Sequence, residues 1–260
     1  MALIGTLTSG ISALKSFSKG LEAIGNNIAN VNTSAYKSST ASFADTFSNT
    51  IRGGGGNVQI GTGVQIADVS TNFSQGSLSS TGKGSDLAVS GNGYFVVRDA
   101  NGANFATRDG AFNWNTAGDL VTSQGYRVLD DLGVAINVAT FATAASVSIG
   151  SDGTVTAFAA NGTSTSTQRV GLLKINDESQ LKRQGFNLYD FSTTGAVVAD
   201  IGTPKAAGRG SVQYGALELS NVDLTEQFSD LITTQRSFQA GSRLITISDT
   251  ILEDIVNLKR

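Results

Sequence analysis

Three serine–lysine pairs stand at the i, i+3 spacing that can activate a serine nucleophile once the lysine is desolvated: Ser12 with Lys15, Ser16 with Lys19, and Ser34 with Lys37. The first two fall on a run with helical periodicity, and the companion motifs of that hydrolase class do not follow, so ordinary solvated lysines are expected. In "GSLSSTGKG", Gly82 and Lys83 follow Gly76 in the manner of a phosphate-binding loop. Such a loop needs four residues between its glycines, whereas five intervene here, and Gly84 stands where a metal-binding hydroxyl belongs. A glycine-rich turn before a strand is the expectation. Asp130-Asp131 and Glu253-Asp254 are sequence neighbours, which strand or helix geometry points in different directions, and nothing selects them as a glycosidase-type pair. Asp99 and Asn101 have the first spacing of a calcium loop without its later ligands.

The chain has no histidine and no cysteine, which removes the commonest general base, the commonest zinc ligand, thiolate sites and disulfides. No enzyme activity, cofactor, metal or small-molecule substrate is expected. Net charge is −3 with no basic cluster, so no nucleic-acid partner is expected either. The start "MALIGTLTSGISALKSFSKG" lacks the basic segment and compact apolar core of a cleaved signal peptide. Glycine and asparagine interrupt the uncharged run 132–151, so a membrane span is not expected, and the chain reads as soluble.

The elements that must position these residues are of two kinds. At the N-terminus Leu7, Leu14, Leu21 and Ile28 recur every seven residues, with Ile11, Ile24 and Val31 in a neighbouring row. At the C-terminus Leu224, Leu231, Phe238, Ile245 and Leu252 do the same, and Ile232, Leu244, Ile251 and Ile255 widen the stripe. Ser220 or Asn221 is expected to cap the C-terminal helix, with Asp223 and Glu226 near its positive end. The N-terminal stripe has an odd companion: "LEAIGNNIANVNTSAYK" places Gly25, Asn26, Asn27 and Asn30, poor helix formers, on its other face. A helix packed among copies of itself would account for them.

Between the ends the period becomes strand-like. With 31 glycines and one proline, turn signals recur at Gly91-Asn92-Gly93, Asn101-Gly102, Asp109-Gly110, Ala117-Gly118 and Gln124-Gly125. "SVSIGSDGTVTAF" reads as a hairpin about Asp152-Gly153, and Trp114, the only tryptophan, as core of this β region. The expected fold is mainly β with long terminal α-helices, which pair as a coiled coil beside an antiparallel β-rich domain. The divisions are 1–35 with 221–260 as terminal helices, 36–75 as a Gly-rich connector and 76–220 as the β-rich outer domain. A helix of about 30 residues is ~45 Å long, against a radius of gyration near ~15 Å for a β domain of about 145 residues. Such helices cannot be covered by that domain alone, and their leftover apolar surface needs other chains.

Several motifs carry a family likeness. "GNNIANVNTSAYKSSTASFADTF" resembles the N-terminal signature of the bacterial flagellar axial proteins, the hook and rod subunits. "TGKGSDLAVSGNGYFVV" and "TRDGAFNWNTAGDLVTSQGYRVL" resemble their shared central motifs, and the last 46 residues, from "GALELSNVDL" onward, are similar to their C-terminal signature. The resemblance implies export through the flagellar type III apparatus without signal cleavage, and pairing of the terminal helices into a coiled coil lining a hollow tube. Its implied partners are further copies of the chain and neighbouring axial, junction and cap proteins. The asparagines would then bond across subunits or line a watery channel.

Within the family, "MALIGTLTSGISALKS", "FADTF" and "ILEDIVNLKR" look like a hook subunit, whereas the length and "VGLLKINDESQLKRQGFNLYDF" look like a rod subunit. The expectation is a short hook protein, with the rod as alternative. The subunit interface is expected at Leu7, Leu14, Leu21, Ile24, Ile28, Val31, Leu224, Leu231, Phe238, Ile245 and Leu252. A hinge is expected at Gly53, Gly54, Gly55 and Gly56, because a bending hook needs backbone states that glycine tolerates. A secreted β-rich binding module with dispensable helices, or a hydrolase, stand as readings from other classes.

Overall fold

The structure is a computed structural model and describes residues 2–53, 56–138, 144–159 and 164–258. It divides into two compact units: Met1–Val31 with Ser38–Asn72 and Val222–Arg260, and Asn32–Lys37 with Phe73–Asn221.

The first unit holds helices α1, Ala2–Ala29, and α2, Leu224–Asn257. Asp223 starts α2: its backbone is extended, and its carboxylate accepts from the N–H groups of Thr225 (2.8 Å) and Glu226 (3.4 Å). It is therefore the cap, in place of the expected Ser220 or Asn221, because one short carboxylate satisfies two orphan donors at the positive helix end. α1 ends at Ala29, short of the expected 35. There Asn30 Nδ2 donates to the Asn26 carbonyl at 2.9 Å and to Asn26 Oδ1 at 2.8 Å, satisfying an acceptor of the last turn.

The two helices touch and run antiparallel. Thr6 Oγ1 lies 3.5 Å from Ser248 Oγ, and Asn27 Nδ2 donates to Gln227 Oε1 at 2.8 Å. Between those ends, a Cβ placed on Gly10 would stand 3.1 Å from Ile245 Cγ1, and one on Gly20 would stand 3.8 Å from Thr234 Cγ2. Small side chains at these points let the backbones approach.

A strand at Ser39–Asp45 pairs antiparallel with Val64–Thr71, with a bulge between Ser42 and Phe43. Phe43 stacks edge-on against Phe17 of α1, ring centroids 5.9 Å apart. The hairpin Ser48–Gly53 with Gly56–Gly61 follows. The stretch expected as a Gly-rich connector thus carries four strands. Gly53 pairs with Gly56 within that hairpin, while Gly54 and Gly55 lie outside the described residues.

The second unit is antiparallel β. Its main sheet runs Lys182–Gly185, Leu188–Asp190, Asn104–Thr107, Tyr94–Arg98, Arg127–Val128, Leu120–Val121, Asn113–Trp114, with Leu172–Leu173 also on Tyr94–Arg98. Side chains alternate faces along a strand. Accordingly Phe95 and Val97 join one core, with Phe112, Leu120 and Val128, and Tyr94 and Val96 join the other, with Leu129, Leu173 and Tyr189. Both faces are covered, which is why "YFVV" is an unbroken apolar run. Beside this sheet lie the three-stranded meander Ala144–Ile149, Thr154–Ala159, Ser164–Arg169 and two short ladders. The backbone at Gly110 meets Leu87 so closely that a Cβ would fall 1.6 Å from the Leu87 carbonyl oxygen. Only glycine fits there.

Candidate functional site

The most deeply set polar groups are in the second unit. Lys37 and Glu218 are fully buried side chains, joined Nζ to Oε1 at 2.6 Å. Lys37 also donates to the Ser74 carbonyl at 2.8 Å, and the Gly76 N–H donates to Glu218 Oε1 at 2.9 Å. Arg108 lies 3.7 Å from Glu218 Oε2, donates to the Gly91 carbonyl and stacks 4.8 Å from the centre of the Tyr94 ring. The Tyr94 hydroxyl donates to Glu178 at 2.8 Å. Burial pushes the Lys37 ammonium down from its ordinary range, against the pull of Glu218. Burial likewise raises the Tyr94 hydroxyl, helped by Glu178.

This cluster binds main chain to main chain. Lys37 follows α1 by a few residues and Glu218 precedes α2 by a few, and the Ala35 N–H donates to the Glu218 carbonyl at 2.8 Å. Two of the four places where the chain passes between its units, at Lys37 and just after Glu218, are thereby fastened together inside the second one. Sequence reading met Lys37 only as half of a serine–lysine pair. Ser34 instead donates to Asp109 at 2.9 Å, and burial raises the Asp109 carboxyl, partly offset by Ser34 and the Ala111 N–H.

The other chemical candidates are occupied structurally. Ser12 accepts from the Val64 N–H and Ser16 donates to the Val64 carbonyl, tying α1 to its strand, while Lys19 pairs with Glu22 in solvent. Lys83 donates to Asn113 Oδ1 and the Phe112 carbonyl and lies 3.4 Å from Asp86, so its ammonium is engaged by the protein's own acceptors. Asp130 accepts from the Leu132 and Val134 N–H groups in a turn. Asp99 bonds to Ala100 and Asn101 in the turn from Tyr94–Arg98 to Asn104–Thr107. Glu253 and Asp254 are exposed on α2. Among the described residues no cluster of carboxylates could hold a metal ion. Trp114 packs partly buried against the first core.

The helices of the first unit present a different surface. The buried layer is Gly10, Ser16, Gly20 and Asn27 on α1, with Gln227, Gly241 and Ser248 on α2. Of the expected interface residues, Leu7, Leu14, Leu21, Ile24, Ile28, Val31, Leu231, Ile245 and Leu252 are half-buried, and Leu224 and Phe238 are exposed. None is fully covered by this chain. Asn27 is turned inward, donating to Gln227 and the Ser39 carbonyl and accepting from the Ser39 N–H at 2.9 Å. Its bonds are intrachain, unlike the expected bonds across subunits. Sequence reading passed over Phe228, Ile247, Val256 and Leu258, which extend the exposed apolar surface of α2. Their spacing carried the signal.

Two amphipathic end helices with uncovered apolar faces, joined through an antiparallel β unit, define an assembly protein. Three family models match: "Flagella basal body rod protein" over residues 7–37, "Flagellar hook protein FlgE/F/G D1 domain" over 88–157, and "Flagellar basal body rod FlgEFG protein C-terminal" over 213–258. The chain is 41% identical to the flagellar basal-body rod protein FlgG of Bacillus subtilis, covering 99% of this chain and 100% of that one. It is 32% identical to FlgG of Borreliella burgdorferi over 100% and 99% of the two chains, and 29% identical to the flagellar hook-basal body complex protein FlhP of B. subtilis over 96% and 97%.

The chain belongs to the flagellar hook and basal-body rod protein family, whose members are structural parts of the flagellum. No described helix is long and apolar enough to cross a membrane. The relatives support the rod alternative better than the expected hook, since those named FlgG carry the rod name and the two most fully covered of them match from end to end. The two ends that favoured a hook in the sequence match models described as basal-body rod families, over residues 7–37 and 213–258.

Proposed function

We propose that this chain is a subunit of the flagellar rod, which polymerises through its terminal helices into a hollow tube that transmits torque and leaves a channel for export. The observation that carries the reading is the match to a rod protein from end to end, at 41% identity with no unmatched domain on either side. The helix surface supports it: expected interface residues remain half-buried or exposed in the single chain, as they would if neighbours complete their burial. In this reading the helices form the coiled-coil layer of the tube, the β unit sets outer contacts, and the type III apparatus delivers the chain.

The test is replacement. A flagellated bacterium whose own rod gene is exchanged for this one should regain motility, and gold-labelled antibody should mark the straight shaft of its purified hook–basal bodies. Label on the curved hook, or basal bodies lacking the chain, would overturn the assignment.

A further inference from the structure

A groove of about 200 Å³ lies on the first unit between α1, the N-terminal half of α2 and the strand Ser39–Asp45. Gly20, Ala23, Ile24, Ala41 and Phe43 give it an apolar lining, and Asp230 and Thr233 border it. Glycine and alanine at its walls leave a gap that the chain's own side chains do not fill.

The other half of α2 has the opposite character. Leu244, Ile247, Ile251, Ile255 and Leu258 are 58, 55, 44, 49 and 87% exposed. Their spacings of three and four make a stripe along one side of the helix. The stripe also outruns its partner. Thr6 faces Ser248, so four residues further along each helix Ala2, where α1 begins, comes level with Leu252. Ile255 and Leu258 lie beyond the level of Ala2, the first described residue of α1.

We infer that the groove of one copy receives the aliphatic stripe of α2 from the next copy, head to tail. A chain cannot fill its own groove: Thr234 and Ile251 lie on one continuous helix, ~25 Å apart at ~1.5 Å per residue. Socket and projection sit toward opposite ends of the same helix pair, joined by the α1–α2 seam. A copy displaced along the helix axis brings one to the other and leaves a free socket and a free projection at the ends. Such a heterologous contact does not close, which is what an open tube requires. The inference rests on the reading of the chain as a polymer built through its terminal helices.

The chain's lack of cysteine provides the test. Full-length protein carrying Thr234→Cys with Ile247→Cys, Ile251→Cys or Ile255→Cys scans the contact over about two turns of α2. Oxidation after assembly should give a ladder of dimers, trimers and longer covalent chains from at least one pairing, while each single variant gives none. Tubes that form normally without a ladder from any pairing would overturn the docking and leave the tube reading intact. Covalent dimers with nothing longer would show a closed two-fold pair and overturn the head-to-tail contact. Neither tubes nor cross-links at any concentration would remove the polymer reading and this contact together.

Discussion

At Glu218 the carboxylate has exchanged water for Lys37, the Gly76 N–H and the nearby Arg108. Removing one partner of a buried pair strands the other, at a cost of ~3–5 kcal/mol, whereas an apolar pair of similar volume is often neutral. Glu218→Gln should therefore lower the stability of the β unit by about that much, and Lys37→Met with Glu218→Leu by much less. Trp114, the only tryptophan and packed on the core of this unit, reports either result in a urea titration. Asp109 gives a pH signature. Burial raises its folded-state carboxyl, so ionisation costs stability above that raised value and costs none below the unfolded value near ~3.9. Asp109→Asn should gain stability at neutral pH, with the gain fading as pH falls toward 4; a gain unchanged across that range would refute the burial argument. Little of this was legible beforehand. Lys37 and Glu218 are 181 residues apart, and no local spacing can report such a pair. The inward turn of Asn27 had the same cause, since its partner Gln227 is 200 residues distant.

Among the elements, the terminal helices were plain in the sequence because a seven-residue recurrence survives any choice of partner. The face that meets the partner was legible only in part. Hydrophobic periodicity marked Leu14 and Ile245, which meet Gly241 and Gly10 across the seam, but it did not mark the glycines themselves, where small size lets the helices approach. The strands of 39–71 were hidden by the glycines of "RGGGG", which read as a connector although pairing continues to Gly53 and Gly56. Three of the four glycines of α1 part company. A Cβ on Gly25 meets nothing within 4 Å, so Gly25→Ala should stabilise the helix by ~0.5–1 kcal/mol. A Cβ on Gly10 would already stand 3.1 Å from Ile245, and one on Gly20 3.2 Å from Phe43, so Gly10→Leu and Gly20→Leu should part the helices and speed amide exchange along both. Asp223→Ala should cost about 1 kcal/mol through its lost cap. Far-UV circular dichroism melts rank the three cases.

For the whole molecule, the layout of helix, β unit and helix was legible, and so was the family, because long motifs at both ends keep their order. The expectation of a hook rested on the chain ends and "FADTF", whereas the FlgG relatives that match along nearly the whole chain carry the rod name. The structure adds that the β unit fastens two of its four chain crossings to each other through Lys37 and Glu218. The helices keep apolar surface uncovered in the single chain, which the proposed assembly would bury. Electron microscopy of the purified full-length chain as its concentration rises, beside the same chain lacking residues 1–31 and 222–260, tests this most directly. Straight, stiff tubes from the full-length chain alone are the predicted result. Equal assembly by the truncated chain, or curved flexible tubes from the full one, would contradict the account.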